Sequence, residues 1–292
     1  MHLSDLHATE PSWRGTVAGG GKRWLGALSW WGRRRRRYRP EVLEALLPAV
    51  EALAPEQIVV TGDLTQLGLP GELAAARGWL ERLGPTSRVL AVPGNHDATA
   101  ATPDPASHVW DAYLRDPAAP AGEAAFPSIR EVGEISLVGL CTAVPTALLD
   151  ATGHVGAAQL ARLEATLERL GRAGRTRVVA MHHPPESGVT HRRRALHDGA
   201  ALRGVLRRVG AELVLHGHLH RTHRGAVAGP NGPIPVVGVA SASRQGGEGV
   251  RRGGFHTYDI ETQPGGAPRI AWRTHRWDAA SRRFEASRPE RL

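Results

Sequence analysis

Five short segments of the chain place metal-ligand side chains directly after apolar runs: Asp5-Leu6-His7, Gly62-Asp63, Gly94-Asn95-His96-Asp97, His182-His183 and Gly217-His218-Leu219-His220. Together they offer at least two carboxylates, one amide oxygen and at least four imidazoles, enough donors for two metal ions. No thiolate is among them, which disfavours a Cys-rich structural zinc site and suits Mn, Fe, Zn, Ni or Co. Two such ions about 3.5–4 Å apart would clamp a phosphoryl group and acidify a bridging water, supplying hydroxide at neutral pH. Taken singly, each segment has an ordinary explanation as a surface loop, a strand-ending turn or an exposed strand. Their order along one chain argues for a shared centre.

Spacing adds detail. Asp5 and His7 are two residues apart, which on an extended strand points both to one side, and His218 and His220 repeat the device. Gly62, Gly94 and Gly217 each precede a candidate ligand, where a missing side chain lets the backbone turn sharply or approach an ion. His183 competes with His182 for the same role.

The elements that must hold these residues are legible as alternating runs. Short apolar stretches at 57–61, 88–92, 134–140, 177–181 and 212–215 read as strands buried on both faces. Between them, Val42, Leu43, Leu46, Leu47 and Val50 follow Pro40-Glu41 with helical spacing. Leu73, Trp79, Leu80 and Leu83 mark a second helix closed by Gly84-Pro85, Leu160 to Leu170 a third, and Leu202 to Val209 a fourth. Alternation of strand and helix predicts a layered α/β domain over residues 1–274. Ligands in open α/β sheets gather at the carboxyl ends of the strands, where each candidate sits. Past residue 230, three apolar runs without intervening helices (235–240, 255–260 and 269–272) predict antiparallel strands completing a second sheet. Residues 275–292 read as a basic tail.

At 292 residues and 41% hydrophobic content, the chain has ample material for a core. No apolar run approaches the roughly 18 residues of a membrane span. The opening Met-His-Leu-Ser-Asp lacks the basic start and apolar stretch of a secretory signal, and Cys141 is the sole cysteine. Both features point to the cytoplasm or the inner membrane face. The formal charge is +9 with a single lysine, Lys22. Arginine excess of this kind fits either compositional bias or an anionic partner.

The ordered set Asp-x-His, Gly-Asp, Gly-Asn-His-Asp, His and Gly-His-x-His resembles the calcineurin-like metallophosphoesterase superfamily. The resemblance spans Asp5 to His220. It implies a four-layer α-β-β-α sandwich of two mixed sheets flanked by helices, with a binuclear metal centre at the strand ends. It further implies one metal, most readily Mn, Fe or Zn, on Asp5, His7, Asp63 and His220. A second ion would sit on Asp63, Asn95, His182 and His218, with Asp63 bridging. His96 would act on the phosphate and leaving group as the catalytic acid, and Asp97 would orient it or a neighbouring turn. The segment Gly62-Asp63-Leu64-Thr65-Gln66 lacks the further Asp-Arg of Ser/Thr protein phosphatases. With His182-His183-Pro184-Pro185, it is more similar to the bacterial cyclic-nucleotide phosphodiesterase branch. The first strand, opening four residues before Asp5, is abbreviated relative to the family.

Residues 11–39 form an insert rich in Trp, Gly and Arg. If 22–39 are helical, Trp24, Leu28 and Trp31 line one face ahead of Arg33 to Arg37. An aromatic stripe beside a basic block suits an anionic membrane surface, a lid over an amphiphilic or nucleotide substrate, a nucleic-acid contact, or a helix packed on the domain. Three functions follow. The first is a phosphodiesterase acting on a cyclic-nucleotide-like substrate by in-line attack of a metal-bridging hydroxide. The second is a hydrolase of a lipid-linked nucleotide pyrophosphate such as UDP-diacylglucosamine. The third is a non-catalytic membrane-surface or binding module. No dedicated nucleic-acid module is apparent.

Overall fold

A computed structural model describes residues 1–10, 32, 35–98, 105–115, 126–147, 150–263 and 266–292. The elements run β1 (His2–Leu3), α1 (Pro40–Leu53), β2 (Ile58–Val60), α2 (Pro70–Leu83), β3 (Val89–Ala91) and α3 (Pro105–Leu114). They continue with β4 (Ser128–Val132), β5 (Ile135–Gly139), α4 (Ala157–Arg172), β6 (Thr176–Met181), α5 (Gly199–Val209), β7 (Leu213–His216), β8 (His223–Gly229) and β9 (Gly232–Gly238). β10 (Gly254–Glu261), β11 (Arg269–Asp278), β12 (Arg283–Ala286) and β13 (Glu290–Arg291) complete the chain.

Two mixed sheets result. The first has the order β12-β11-β10-β1-β2-β3, with β13 also on β11; the second has β4-β5-β6-β7-β9-β8. Parallel pairing is confined to β1-β2-β3 and to β5-β6-β7-β9. In both sheets, therefore, the strands that carry candidate ligands run the same way.

Residue alternation builds the layers. Ile58, Val60, Val89 and Ala91 face outward onto Leu43 and Leu46 of α1, Leu73 and Leu80 of α2, and Trp110 of α3. Val59 and Leu90, one residue over, face the other sheet and meet Val178, Ala180, Leu213 and Leu215. On the far side, Val179, Met181 and Val214 pack on Leu163 and Leu167 of α4 and Leu202 and Leu206 of α5. This is the four-layer α-β-β-α arrangement. The central strands β2, β3, β6 and β7 are buried on both faces, which is why they read as unbroken apolar runs.

Three details differ from the sequence reading. The apolar runs after residue 230 do not share a sheet: β9 joins the second, whereas β10 and β11 join β1 in the first. The last eighteen residues are not a separate tail. β11 continues to Asp278, and β12 and β13 pair on it antiparallel; its Trp272 and Trp277, five residues apart and so on opposite faces, are both buried amid the arginines. α3, β4 and β8 are further elements beyond those the apolar runs predict; β8 buries a single residue, Val227. The aromatic face of Trp24, Leu28 and Trp31 lies outside the described residues. Arg35–Arg37 form one exposed helical turn, and the adjoining Tyr38 is buried. Among the described residues, no helix is long and apolar enough to cross a membrane.

Candidate metal centre

The candidate residues all follow the carboxyl ends of β1, β2, β3, β6 and β7, and the two sheets bring those ends together. Asp5, His7, Asp63 and His220 each offer one ligand atom, all within 4.8 Å of one another. Beside them, Asn95 Oδ1 lies 3.2 Å from His182 Nε2 and 3.0 Å from His218 Nδ1. Asp63 joins the two groups, its Oδ2 being 3.5 Å from His182 Nε2.

The convergence has a different local cause from the one spacing implied. β1 stops at Leu3 and β7 at His216, so neither Asp5/His7 nor His218/His220 sits on an extended strand. Instead Asp5, His7, Asp63, His218 and His220 adopt left-handed φ values of 50°, 43°, 54°, 65° and 49°. Such conformations are uncommon for residues with a side chain, cost about 1–3 kcal/mol each, and cluster at functional sites. Close backbone approach explains two of the glycines. A Cβ at Gly94 would lie 2.2 Å from Asp63 Oδ1, and one at Gly217 would lie 1.8 Å from Ser4 Oγ and 2.9 Å from Asp5 Oδ2.

Each imidazole is aimed by a hydrogen bond on its far nitrogen. His7 Nδ1 donates to Thr65 O (3.0 Å), His182 Nδ1 to Thr61 O (2.6 Å) and His218 Nε2 to Arg194 O (2.9 Å). His220 Nδ1 shares a 2.9 Å hydrogen bond with the Tyr38 hydroxyl, while its Nε2 lies 3.0 Å from Asp5 Oδ1. Outer-shell bonds of this type fix the tautomer and turn the second nitrogen toward an ion. His183 is arranged otherwise. Its Nδ1 meets the Thr142 hydroxyl at 2.8 Å and its Nε2 donates to Ala151 O at 3.2 Å, so both nitrogens are engaged away from the cluster.

Asp97 is fully buried and organises backbone. Its carboxylate accepts from the amides of Gly94 (2.9 Å) and Thr65 (2.9 Å) and from the Thr65 hydroxyl (2.9 Å), tying the β2 and β3 loops together. Burial, then the neighbouring Asp63 charge, push its carboxyl up to about 7. His96 is half-buried. Its amide donates to Asp63 Oδ1 (2.8 Å) and its Nδ1 to Gln66 O (2.6 Å), and its ring stands edge-on to His7 at 5.1 Å.

Electrostatics expose a demand for positive charge. Asp5 and Asp63 are both buried, and among the described residues their ionic partners are imidazoles alone. Burial would by itself raise both carboxyls; the surrounding imidazoles reverse this, holding Asp5 down at about 2 and Asp63 well below the carboxylate range. Burial would lower His182, yet the Asp63 carboxylate overrides it and raises the imidazole to about 9. His218, without such a partner, is driven well below its ordinary value by burial. In the bare protein a proton on His182 serves the carboxylates, and a cation would replace it.

Sequence reasoning missed Tyr38 and Arg194. Tyr38 directly follows the arginine run, and only its burial between His7 (ring centroids 4.5 Å apart) and His220 reveals its place. Arg194 belongs to the exposed 3-10 turn Arg192–Arg194; besides accepting from His218, it donates to His218 O at 3.1 Å. A cavity of about 450 Å³ beside His7 is lined by Thr9, Glu10, Arg35, Arg36 and Tyr38.

The fold, the order of the loops and the clustered carboxylates and imidazoles define a class. The chain belongs to the calcineurin-like phosphoesterase family, whose model matches residues 1–222. It is 31% identical over 249 residues to the cAMP/cGMP dual specificity phosphodiesterase of Mycobacterium tuberculosis (strain CDC 1551 / Oshkosh). That match covers 83% of this chain and 66% of the relative, slightly under two thirds of its length. A dimetal phosphatase from Danio rerio superposes with a TM-score of 0.64 at 14% identity, over 98% of this chain and 96% of that one. Purple acid phosphatase PPD1 from yellow lupin (Lupinus luteus) seeds gives 0.54 at 11% identity, over 97% and 52%. At these identities the structural likeness concerns the fold alone.

Proposed function

We propose that this chain is a two-metal phosphodiesterase. The observation that carries the reading is the meeting of seven donors from five loops around the Asp63 carboxylate, with buried negative charge that no lysine or arginine answers among the described residues. The donors fit a metal pair. Asp5 Oδ1 is buried and faces His220 Nε2 at 3.0 Å, and the neutral His218 ring, donating through Nε2, turns a lone pair on Nδ1 toward Asn95 Oδ1. Acceptors facing acceptors inside a protein are tolerated when a cation lies between them.

Asp5, His7, Asp63 and His220 would hold one ion, and Asp63, Asn95, His182 and His218 the other. His182 takes the role in preference to His183, whose nitrogens are committed elsewhere. The mixed N/O set suits Mn, Fe or Zn. Bound there, such ions polarise a phosphoryl group and acidify a water.

The chain's own residues do the rest. His96, its Nδ1 fixed by Gln66 O, would pass a proton from its second nitrogen to the leaving oxygen. Asp97 holds the loop that carries it. Tyr38 and Thr65 O keep the His220 and His7 rings aimed. Arg35 and Arg36 in the adjoining cavity, and the exposed Arg192–Arg194 turn anchored to His218, supply positive charge for an anionic diester.

For substrate we favour a cyclic nucleotide. The relative named above supports this choice, and the cavity beside His7 is within the size range of small-molecule sites. The test is hydrolysis of cAMP, cGMP and UDP-diacylglucosamine in mixed micelles by metal-stripped, Mn²⁺-restored protein. Faster turnover of the soluble diesters supports the reading. Preference for the lipid contradicts it and gives the Trp/Arg segment a substrate role.

A further inference from the structure

A second set of ligand-type side chains converges elsewhere in the second sheet. His216 ends β7, His223 opens β8, and Glu186 follows the turn after β6. In register, His216 pairs with Gly238 of β9, and Gly238 pairs with His223. The two histidines therefore flank a glycine in one row across three strands, and side chains in such a row share a face. That face carries α4 and α5, because Val214, Val227 and Val236, each an even number of residues away, pack with those helices.

The glycines shape a cradle. A Cβ at Gly238 would lie 2.4 Å from His216 Cε1 and 2.7 Å from its Nε2. A Cβ at Gly225, two residues along β8, would lie 2.2 Å from Glu186 Oε1 and 3.1 Å from His223 Nε2. The space both glycines leave is filled by the three polar side chains.

Those side chains are incompletely satisfied. His216 is fully buried, and its Nδ1 donates to Gly217 O at 2.8 Å, leaving Nε2 as the lone-pair nitrogen of a neutral ring. Nε2 of His216 and Oε2 of Glu186 are both buried without a hydrogen-bond partner. Glu186 Oε1 meets His223 Nε2 at 2.9 Å. An ion pair between Glu186 and His223 accounts for two of the three groups and leaves His216 Nε2 buried without a partner, which an apolar or ordinary polar core would not tolerate.

We propose that Glu186, His216 and His223 form a separate mononuclear site for a borderline divalent cation, with Zn²⁺ the best match. One ligand atom from each lies within 4.8 Å of the others, so adjustment of about an ångström brings them to zinc distances of about 2.0–2.2 Å. Two imidazoles and a carboxylate are a set zinc accepts with its fourth position open to water. The side chains of His223 (17% exposed) and Glu186 (9%) leave a route from solvent. The ion would clip the turn after β6 to the ends of β7 and β8, bracing the loops that bear His182 and His218. No ligand is shared with the Asp5–His220 centre, so the inference does not rest on the phosphodiesterase reading.

The experiment counts Zn²⁺ in the full chain by plasma mass spectrometry after chelation, dialysis against Zn²⁺ and removal of excess metal. Wild type is compared with Glu186→Gln and His223→Asn. One equivalent fewer in each variant supports the site, whatever total the wild type binds. Failure of the two-metal reading would lower that total without removing the difference. A zinc-edge anomalous map of the wild-type protein supplies evidence that needs no variant to fold. A peak between the three side chains is expected; an ordered water there, or equal counts in all three proteins, overturns the proposal.

Discussion

The Tyr38 hydroxyl lies 2.9 Å from His220 Nδ1, joining the residue after a run of arginines to a histidine 182 positions later. The contact places the end of the Arg/Trp insert against the candidate metal centre. With an ion on Nε2, Nδ1 carries the ring proton and the tyrosine oxygen accepts it. Tyr38→Phe keeps the buried ring and removes that acceptor. It should weaken metal binding about 10–100-fold with the fold intact, as read by competition with a chromophoric chelator. Unchanged affinity would make Tyr38 a packing residue.

Asp97 ties two loops by accepting from Gly94, Leu64 and Thr65. Asp97→Ala leaves those buried donors unpaired and should destabilise the protein by about 3 kcal/mol, measured as the shift of a urea unfolding midpoint at constant slope.

His96 is held by Gln66 O and stands outside the ligand set. His96→Ala should lower kcat by about 10²–10⁴-fold, the range for loss of a general acid, with metal content unchanged. Loss of an ion in that variant would reassign His96 as a ligand.

The alternation of apolar runs disclosed the layers because every central strand is buried twice, so Ile58–Val60 and Val89–Ala91 carry no polar interruption. The ligand loops were legible for a related reason: donors right after such runs fall at the strand ends. The left-handed turns at Asp5, His7, Asp63, His218 and His220 were not legible, since no glycine marks those positions. The alternate-residue rule expected Asp5 with His7, and His218 with His220, side by side on extended strands, whereas they meet through left-handed turns. Tyr38 was hidden because its role depends on contacts to His7 and His220 far along the chain, and β12–β13 because their residues are mostly exposed and form no apolar run.

His182 sets the pH dependence of metal uptake. In the metal-free protein its imidazole is raised to about 9, so the folded state holds a proton that the unfolded chain releases near 6.5. That contribution to stability is complete below about 6.5 and is lost as pH rises to 9. A metal must displace the same proton, so affinity should climb across this window. Calorimetric titration of Mn²⁺ at pH 7.5 in two buffers of different ionisation enthalpy should reveal proton release, and His182→Asn should abolish the part due to this residue.

The central claim is that two ions share Asp63. Its direct test is turnover of cAMP as Mn²⁺ is titrated into metal-stripped protein in which Glu186→Gln removes the separate zinc-type site. The account predicts that activity saturates at two equivalents, and that Asp63→Asn in the same background stays folded, binds fewer ions and turns over at least a hundredfold more slowly. Full activity at one equivalent, or undiminished turnover by the Asp63→Asn protein with Mn²⁺ in excess, would contradict it.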